Sequence, residues 1–354
     1  MKDVSSVSKW YSHDKFKPEN QVKKVPSWGS KEAVTSKLHQ IAKQYPNVDA
    51  IKWSKDCPKT YERGKPFLPN RDIQRLPLGM RRFHDWYLRV LPMSIDLIQA
   101  CFPTGTFGSP AGKIIFDFND MHTFFHLGEM EMNLIRTWCL MQVHIVKQMP
   151  SVKARYLDPQ AIAQTNFNYP KLWKLDAKEL AAAKTLREKE HICTTKLREE
   201  SLKVAAYIAL AFKTLQQHST IWLPYNFDNH WICIAVDVGR SMAWAFDSID
   251  RDPVTYKDFI LILKTAFSFY VTNHHGRHDP ARKEKLAIKT LCACPKQKPG
   301  SLHCGYYICS MMSNTGAYRR HPLRWKEEKG MKRDPYKDDQ LLELVGDLCN
   351  FILD

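Results

Sequence analysis

Glycine is scarce in this chain, 14 residues in 354, and nowhere does it lead into the Gly-Lys-Ser/Thr ending that cradles a phosphate. The one Gly-rich loop, "GTFGSPAGK", lacks that ending, so it is not a P-loop. No apolar run approaches the roughly eighteen to twenty residues of a membrane helix; Trp138 to Val146, for instance, is interrupted by Gln142 and His144. The sequence does not open on a charged head, an apolar centre and a small-residue cleavage site. Its 10 Cys show no paired spacing, which reads as reduced thiols in an intracellular, soluble protein. No unit repeats along the chain.

What remains is a chain that is 44% hydrophobic, long enough for one large core or two modest ones. It carries 53 Lys and Arg against 37 Asp and Glu, a net charge of +16, so polyanions and acidic proteins are natural partners. Residues 1–110 hold 19 of the basic and 10 of the acidic residues. Up to about residue 75 they read as an irregular basic arm, because "KDCPKTYERGKPFLPNRD" has Pro at intervals that no helix interior accepts. Trp10, Trp28 and Trp53 interleave with the charges, a pattern that suits either a solvated linker or a nucleic-acid arm. The basic stretch "RRHPLRWKEEKGMKR" points to the nucleus rather than the cytoplasm.

The period then becomes helical near 78–101, with a break at Pro92, and again at 119–127 and 130–149. "DAKELAAAKTLREKEH" reads as a surface helix opened by Asp176, and "EESLKVAAYIALAFKTLQQ" as a second, amphipathic helix. After His218 the pattern turns to strands: "TIWLPY", "HWICIAVDV" and "SMAWAFDSI". A helix, "YKDFILILKTAFSFYVTN", a strand within "KLAIKTLCAC", a helix from Cys304 and a last helix from Asp338 follow. Helices gathered before and after a small sheet predict an α+β fold, with a domain boundary near residue 110 and a second domain over 111–354.

The chemistry gathers in two places. If "HWICIAVDVGRSMAWAFDSID" is a hairpin turning at Gly239-Arg240, Ile232 faces Asp247, and His230, on the same strand face as Ile232, becomes Asp247's diagonal neighbour. Both faces are otherwise apolar, so a buried His and Asp there must satisfy each other. The second place is "PGSLHCGYYICSMM", where a loop delivers Cys304 to the mouth of an apolar helix. The unpaired N–H groups and dipole of a helix N-terminus favour a thiolate. If that helix crosses the sheet end, Cys304, His230 and Asp247 supply nucleophile, base and orienting carboxylate. Gln297 and the N–H of Cys304 are then candidate donors to an oxyanion.

A metal reading of Cys292, Cys294, His303, Cys304 and Cys309 is weak. No second Cys-x-x-Cys pair appears, and Cys309 falls more than 100° from Cys304 around the helix. "HHGRH" (His274, His275, His278) reads as a polar loop. No metal or other cofactor is expected.

His230-Trp231, Asp247-Ser248, Gln297 and Cys304-Gly305 together resemble the signature of the ubiquitin-like-protein-specific cysteine proteases, the SUMO-type deconjugases with a papain-like core. The resemblance spans about residues 115–354. "YERGKPFLPNRDIQRLPLGMRRFHDWY", "DMHTFFHLGEMEMNLIRTWCLMQ", "LPYNFDNHWI" and "QKPGSLHCGYYIC" are similar to the protease-like domains encoded by plant CACTA-type (En/Spm-like) transposable elements. The resemblance implies a small, mostly antiparallel central sheet flanked by helices, and a thiol hydrolase that cuts after the Gly-Gly tail of a ubiquitin-like modifier. It further implies that Trp231 lies over the two glycines and that Gly305 lines the substrate channel. Two positions depart from the pattern: His303 stands where many members have Asp before the Cys, and Gly128 to Asn133 contains Met130 and Met132 but no Trp. The reading from another class is a non-catalytic module, transposon-derived, that binds a ubiquitin-like protein or nucleic acid.

Overall fold

Residues 53–149, 153–167, 177–313 and 335–354 are described by the computed structural model of the chain. Trp10, Trp28, Asp176 and the basic stretch 319–333 lie outside the described residues.

The β-branched and aromatic run after His218 forms the centre of a five-stranded sheet of order β3-β4-β5-β6-β7: Ala154–Tyr156, Thr220–Phe227, His230–Asp237, Met242–Phe246 and Ala287–Lys289. The three central strands pair antiparallel, and the short edge strands β3 and β7 pair parallel to their neighbours. Asp228 and Asn229, both at positive φ, join β4 to β5 as a two-residue hairpin turn, where Asp and Asn tolerate that backbone. Four residues, Val238 to Ser241, join β5 to β6. The resulting register pairs Cys233 with Phe246 and Ile234 with Ala245, the register on which the His230–Asp247 diagonal depends.

The sheet is buried on both faces, which is why its central strands read as nearly unbroken apolar runs. Ile232, Ile234, Val236, Ala243 and Ala245 pack against two helices, α4 (Leu186–Leu215) and α5 (Lys257–His274). On the other face Trp231, Cys233, Trp244 and Phe246 join the core built by α1 (Leu78–Val90), α2 (Phe118–Phe125), α3 (Met132–Lys147), α6 (Cys304–Met312) and α7 (Asp338–Leu353). Every residue of α6 is buried, so the helix that carries Cys304 runs through the interior against β5. The fold is α+β, a mostly antiparallel sheet flanked by helices, as expected.

Three local expectations change. Residues 53–69 form no helix or strand, as expected of an irregular segment, but the end of that segment is no free arm: Phe67 and Leu68 are fully buried, and Phe67 stacks on Tyr87 with ring centroids 4.1 Å apart. The helix expected near 78–101 stops at Val90; Pro92 and the left-handed Ser94 turn the chain into strand β1 (Leu97–Phe102), paired with β2 (Gly112–Asp117). The two helices expected between Asp176 and Gln217 are divided differently. One short helix ends at Ala182, and a capping box of Thr185 with Glu188 starts a helix that runs unbroken to Leu215.

Helices α1 and α7 approach closely because both carry glycine at the crossing. A Cβ on Gly79 would lie 2.1 Å from the backbone oxygen of Gly346. Gly79→Ala gains about 1 kcal/mol of helix propensity, but the overpacking against an unyielding backbone outweighs it. The expected net destabilisation is about 1–3 kcal/mol, read as a lower Tm in thermal unfolding.

Candidate active site

Strand β5 continues from Cys233 back to His230, beyond its last pairing with β6. At this overhang the His230 ring and the Asp247 carboxylate meet: Nε2 to Oδ1 is 2.8 Å, and both side chains are buried. Asp247 also accepts the N–H of Ile249 on Oδ1 at 2.9 Å and that of Arg251 on Oδ2 at 2.8 Å. Burial works to raise its pKa. The hydrogen bond and charge of His230 and the two N–H donors outweigh that, and the carboxyl lies below its ordinary value. The His230 ring meets Phe227 edge-on at 5.7 Å, and the Arg251 guanidinium lies 5.3 Å above the same Phe227 ring. The diagonal pair predicted from the hairpin is therefore present.

Cys304 opens α6, whose first ladder bond runs from the Tyr307 N–H to the His303 carbonyl at 3.1 Å. The backbone N–H groups of Trp231 and Gly305 act to lower the pKa of the Cys304 thiol. Burial nevertheless dominates. The thiol is 5% exposed and is pushed up to about 11, with Glu129 raising it further and Arg251 opposing. Burial of the thiol thus opposes the thiolate that the helix N-terminus and the two N–H groups favour. Among the described residues no hydrogen bond joins the sulfur to the His230 ring.

Gln297 sits on the loop before α6. Its N–H donates to the Ser248 carbonyl at 3.0 Å, its Oε1 accepts from the Ser248 hydroxyl at 2.6 Å, and its Nε2 donates to the Ser301 carbonyl at 2.8 Å. Two neighbours on the same loop hold the Asp247 turn from below. Lys296 Nζ donates to the Asp247 carbonyl at 2.7 Å and to Asp250 Oδ1 at 2.6 Å, while Cys294 Sγ contacts the Asp247 carbonyl at 3.2 Å. Sequence reasoning gave Lys296 no role and weighed Cys294 only as a metal ligand. A Lys set beside the acidic turn "DSIDRD" was the available signal, and it requires knowing that the loop returns there.

Two residues expected at the substrate channel are buried. Trp231, expected above the substrate glycines, is 2% exposed and joins the same core cluster as Cys304. Gly305, expected to line the channel, is buried where a Cβ would lie 2.6 Å from the Cβ of Met130, so its glycine serves close packing of α6. The Met130 segment thereby lies beside the head of α6. His303, at the N-cap position, meets Tyr306 edge-on at 5.8 Å; burial lowers its pKa, against the raising effect of Asp338. His275 ends α5 in a left-handed conformation and His278 Nδ1 lies 2.8 Å from the Gly276 carbonyl, as befits a polar loop.

The arrangement offers a buried thiol among backbone donors, an imidazole fixed by a carboxylate, and an amide held by two partners. Comparison with known proteins bears on the same stretch of chain. The sequence model described as Ulp1 protease family, C-terminal catalytic domain, matches residues 142–339. No curated protein matches the sequence. Among solved structures, the C-terminal Ulp1 protease domain in complex with Smt3, the yeast ortholog of SUMO, is 14% identical. That alignment covers 85% of this chain and 99% of that one, with a TM-score of 0.41. The Chaetomium thermophilum Ulp1-like SUMO protease catalytic domain is 14% identical over 92% of this chain and 89% of that one, with a TM-score of 0.33. The SUMO protease Ulp1 with its catalytic cysteine oxidised to a sulfenic acid is 15% identical over 81% and 95%, with a TM-score of 0.40.

Proposed function

We propose, from the premise that this chain belongs to the Ulp1 protease family and is a cysteine protease, that Cys304, His230 and Asp247 form its catalytic triad and that its substrate is a SUMO-type modifier. The observation that carries the triad is the 2.8 Å bond between His230 and Asp247 at the overhang of β5, the strand against which the helix opened by Cys304 packs.

In this reading His230 draws the proton from Cys304, and the sulfur attacks the carbonyl of the last glycine of the modifier. Asp247 fixes the imidazole tautomer. Gln297 and the Cys304 N–H hold the developing oxyanion. The amine of the peptide or isopeptide bond leaves with the proton from His230, and water, with His230 as base, hydrolyses the thioester to a carboxylate and a free thiol. Glycine at both tail positions suits passage through a narrow channel, where a Cβ would clash. Either His230 takes the thiol proton as the substrate binds, or it holds a preformed thiolate–imidazolium pair; burial of the thiol works against the second. The similarity of "LPYNFDNHWI" and "QKPGSLHCGYYIC" to CACTA-encoded domains supports a transposable-element source for the chain.

The test is covalent capture. The purified chain is incubated with SUMO, ubiquitin and related proteins that carry a thiol-reactive electrophile at the C-terminus, beside Cys304→Ser. Capture of SUMO by the wild type alone is the expected result. Capture of another modifier corrects the substrate. Absence of capture by every modifier, in folded protein, favours the binding module, with nucleic-acid binding as its next assay.

A further inference from the structure

We propose that Ser248 is a positioning residue for catalysis, its hydroxyl proton setting the direction in which the Gln297 amide donates. The inference rests on the reading above, in which Gln297 is an oxyanion donor, and extends it to a residue that the reading leaves without a role.

The orientation of an amide is often ambiguous, since its oxygen and nitrogen look alike. Here the neighbours decide it. The Ser301 carbonyl can only accept, so the atom 2.8 Å from it must be the amide nitrogen. Oε1 then faces Ser248, and because a carbonyl oxygen carries no hydrogen, the Ser248 hydroxyl donates across the 2.6 Å contact. Ser248 is fully buried, so no bulk water competes for that proton. The tie is double, for the Ser248 carbonyl accepts the Gln297 N–H at 3.0 Å.

Two consequences follow for the amide. One of its two N–H groups is committed to Ser301, which leaves one to donate elsewhere, and rotation of the amide would turn Oε1 toward a negative centre instead. The serine proton prevents that rotation. It also polarises the amide, since a carbonyl that accepts a hydrogen bond makes its own N–H a stronger donor. The same serine follows Asp247 directly, so the turn that orients the imidazole also orients the oxyanion donor. One short segment thereby sets two groups that must act together.

The test is a double-mutant cycle on the full chain, with SUMO bearing a C-terminal fluorogenic coumarin amide as probe. Loss of an oxyanion donor costs about 10²- to 10³-fold in kcat, and loss of its orientation alone should cost part of that. Ser248→Ala is expected to lower kcat about tenfold with KM unchanged, and Ser248→Cys, a weaker donor of similar shape, to fall between. The decisive result is non-additivity: in a Gln297→Ala background, Ser248→Ala should cost nothing further. An equal loss with and without Gln297, or no loss in either, overturns the inference while leaving the oxyanion assignment intact. If Gln297→Ala alone leaves kcat unchanged, the oxyanion assignment fails and takes this inference with it. Thermal unfolding accompanies each variant, and if Ser248→Ala does not fold, the cycle is run with Ser248→Cys.

Discussion

Cys304→Ala abolishes turnover and leaves the melting temperature within a few degrees of wild type. The two halves of this expectation have separate causes. Without the sulfur no thioester forms, and loss of a covalent nucleophile costs on the order of 10⁶-fold in kcat. The fold loses little because the site gives up one sulfur atom and two N–H contacts made to it. Alanine keeps helix propensity at the first position of α6, and a change of about 1 kcal/mol moves Tm by only roughly 1–2 °C in a protein of this size. Hydrolysis of the coumarin amide and a thermal melt are the two measurements. Turnover above one part in a thousand, in protein free of wild type, would show that the nucleophile lies elsewhere.

Asp247 carries the second large effect, and there stability and catalysis move together. Asp247→Ala strips a buried turn of the acceptor that serves His230, Ile249 and Arg251, and breaking a buried pair of this kind costs about 3–5 kcal/mol. Asp247→Asn keeps the shape but presents the imidazole with the wrong partner, for a loss of about 10²- to 10⁴-fold in kcat, well short of the loss at Cys304. The pH dependence has a definite sign. The folded carboxyl is depressed below its ordinary 3.8, so the stability it contributes is fully present above that value and is lost as pH falls through the lower, folded one. The Tm difference between wild type and Asp247→Asn should hold steady from pH 8 to about 5 and close below about 4. A gap undiminished at pH 2 would rule out the ionised carboxylate as its source.

The parts of this molecule that could be read in advance are those with a local cause. The β5–β6 register is legible because two apolar runs flank a single turn signal at Gly239-Arg240, and from that turn the proximity of His230 and Asp247 follows. Helix α6 is legible because a Pro-Gly-Ser loop leads into unbroken apolar residues. The misreadings have long-range causes. Phe67 and Leu68 sit among prolines and charges, and only partners from α1 and α2 turn them inward. Nor does the sequence show that Trp231 is buried in the core or that Gly305 packs on Met130, 175 residues earlier. Ser248 stood in the recognised pattern all along, but a hydroxyl's role depends on which acceptor it faces, here one 49 residues away.

The glycine crossing of α1 and α7 also bears on how the protein is made. Arg82 on α1 and its partner Asn350 on α7 are 268 residues apart. At about 5–20 residues per second of synthesis, α1 leaves the ribosome tens of seconds before its counterpart exists. Through that interval Met80, Phe83 and Tyr87, destined for the core, lack α7 to cover them, a period in which a chaperone has something to hold. The core that seats α6 shares residues with both helices, so a nascent chain should remain without a finished thiol site until α7 has emerged. The thiol site is thus one of the late parts of this fold to be completed.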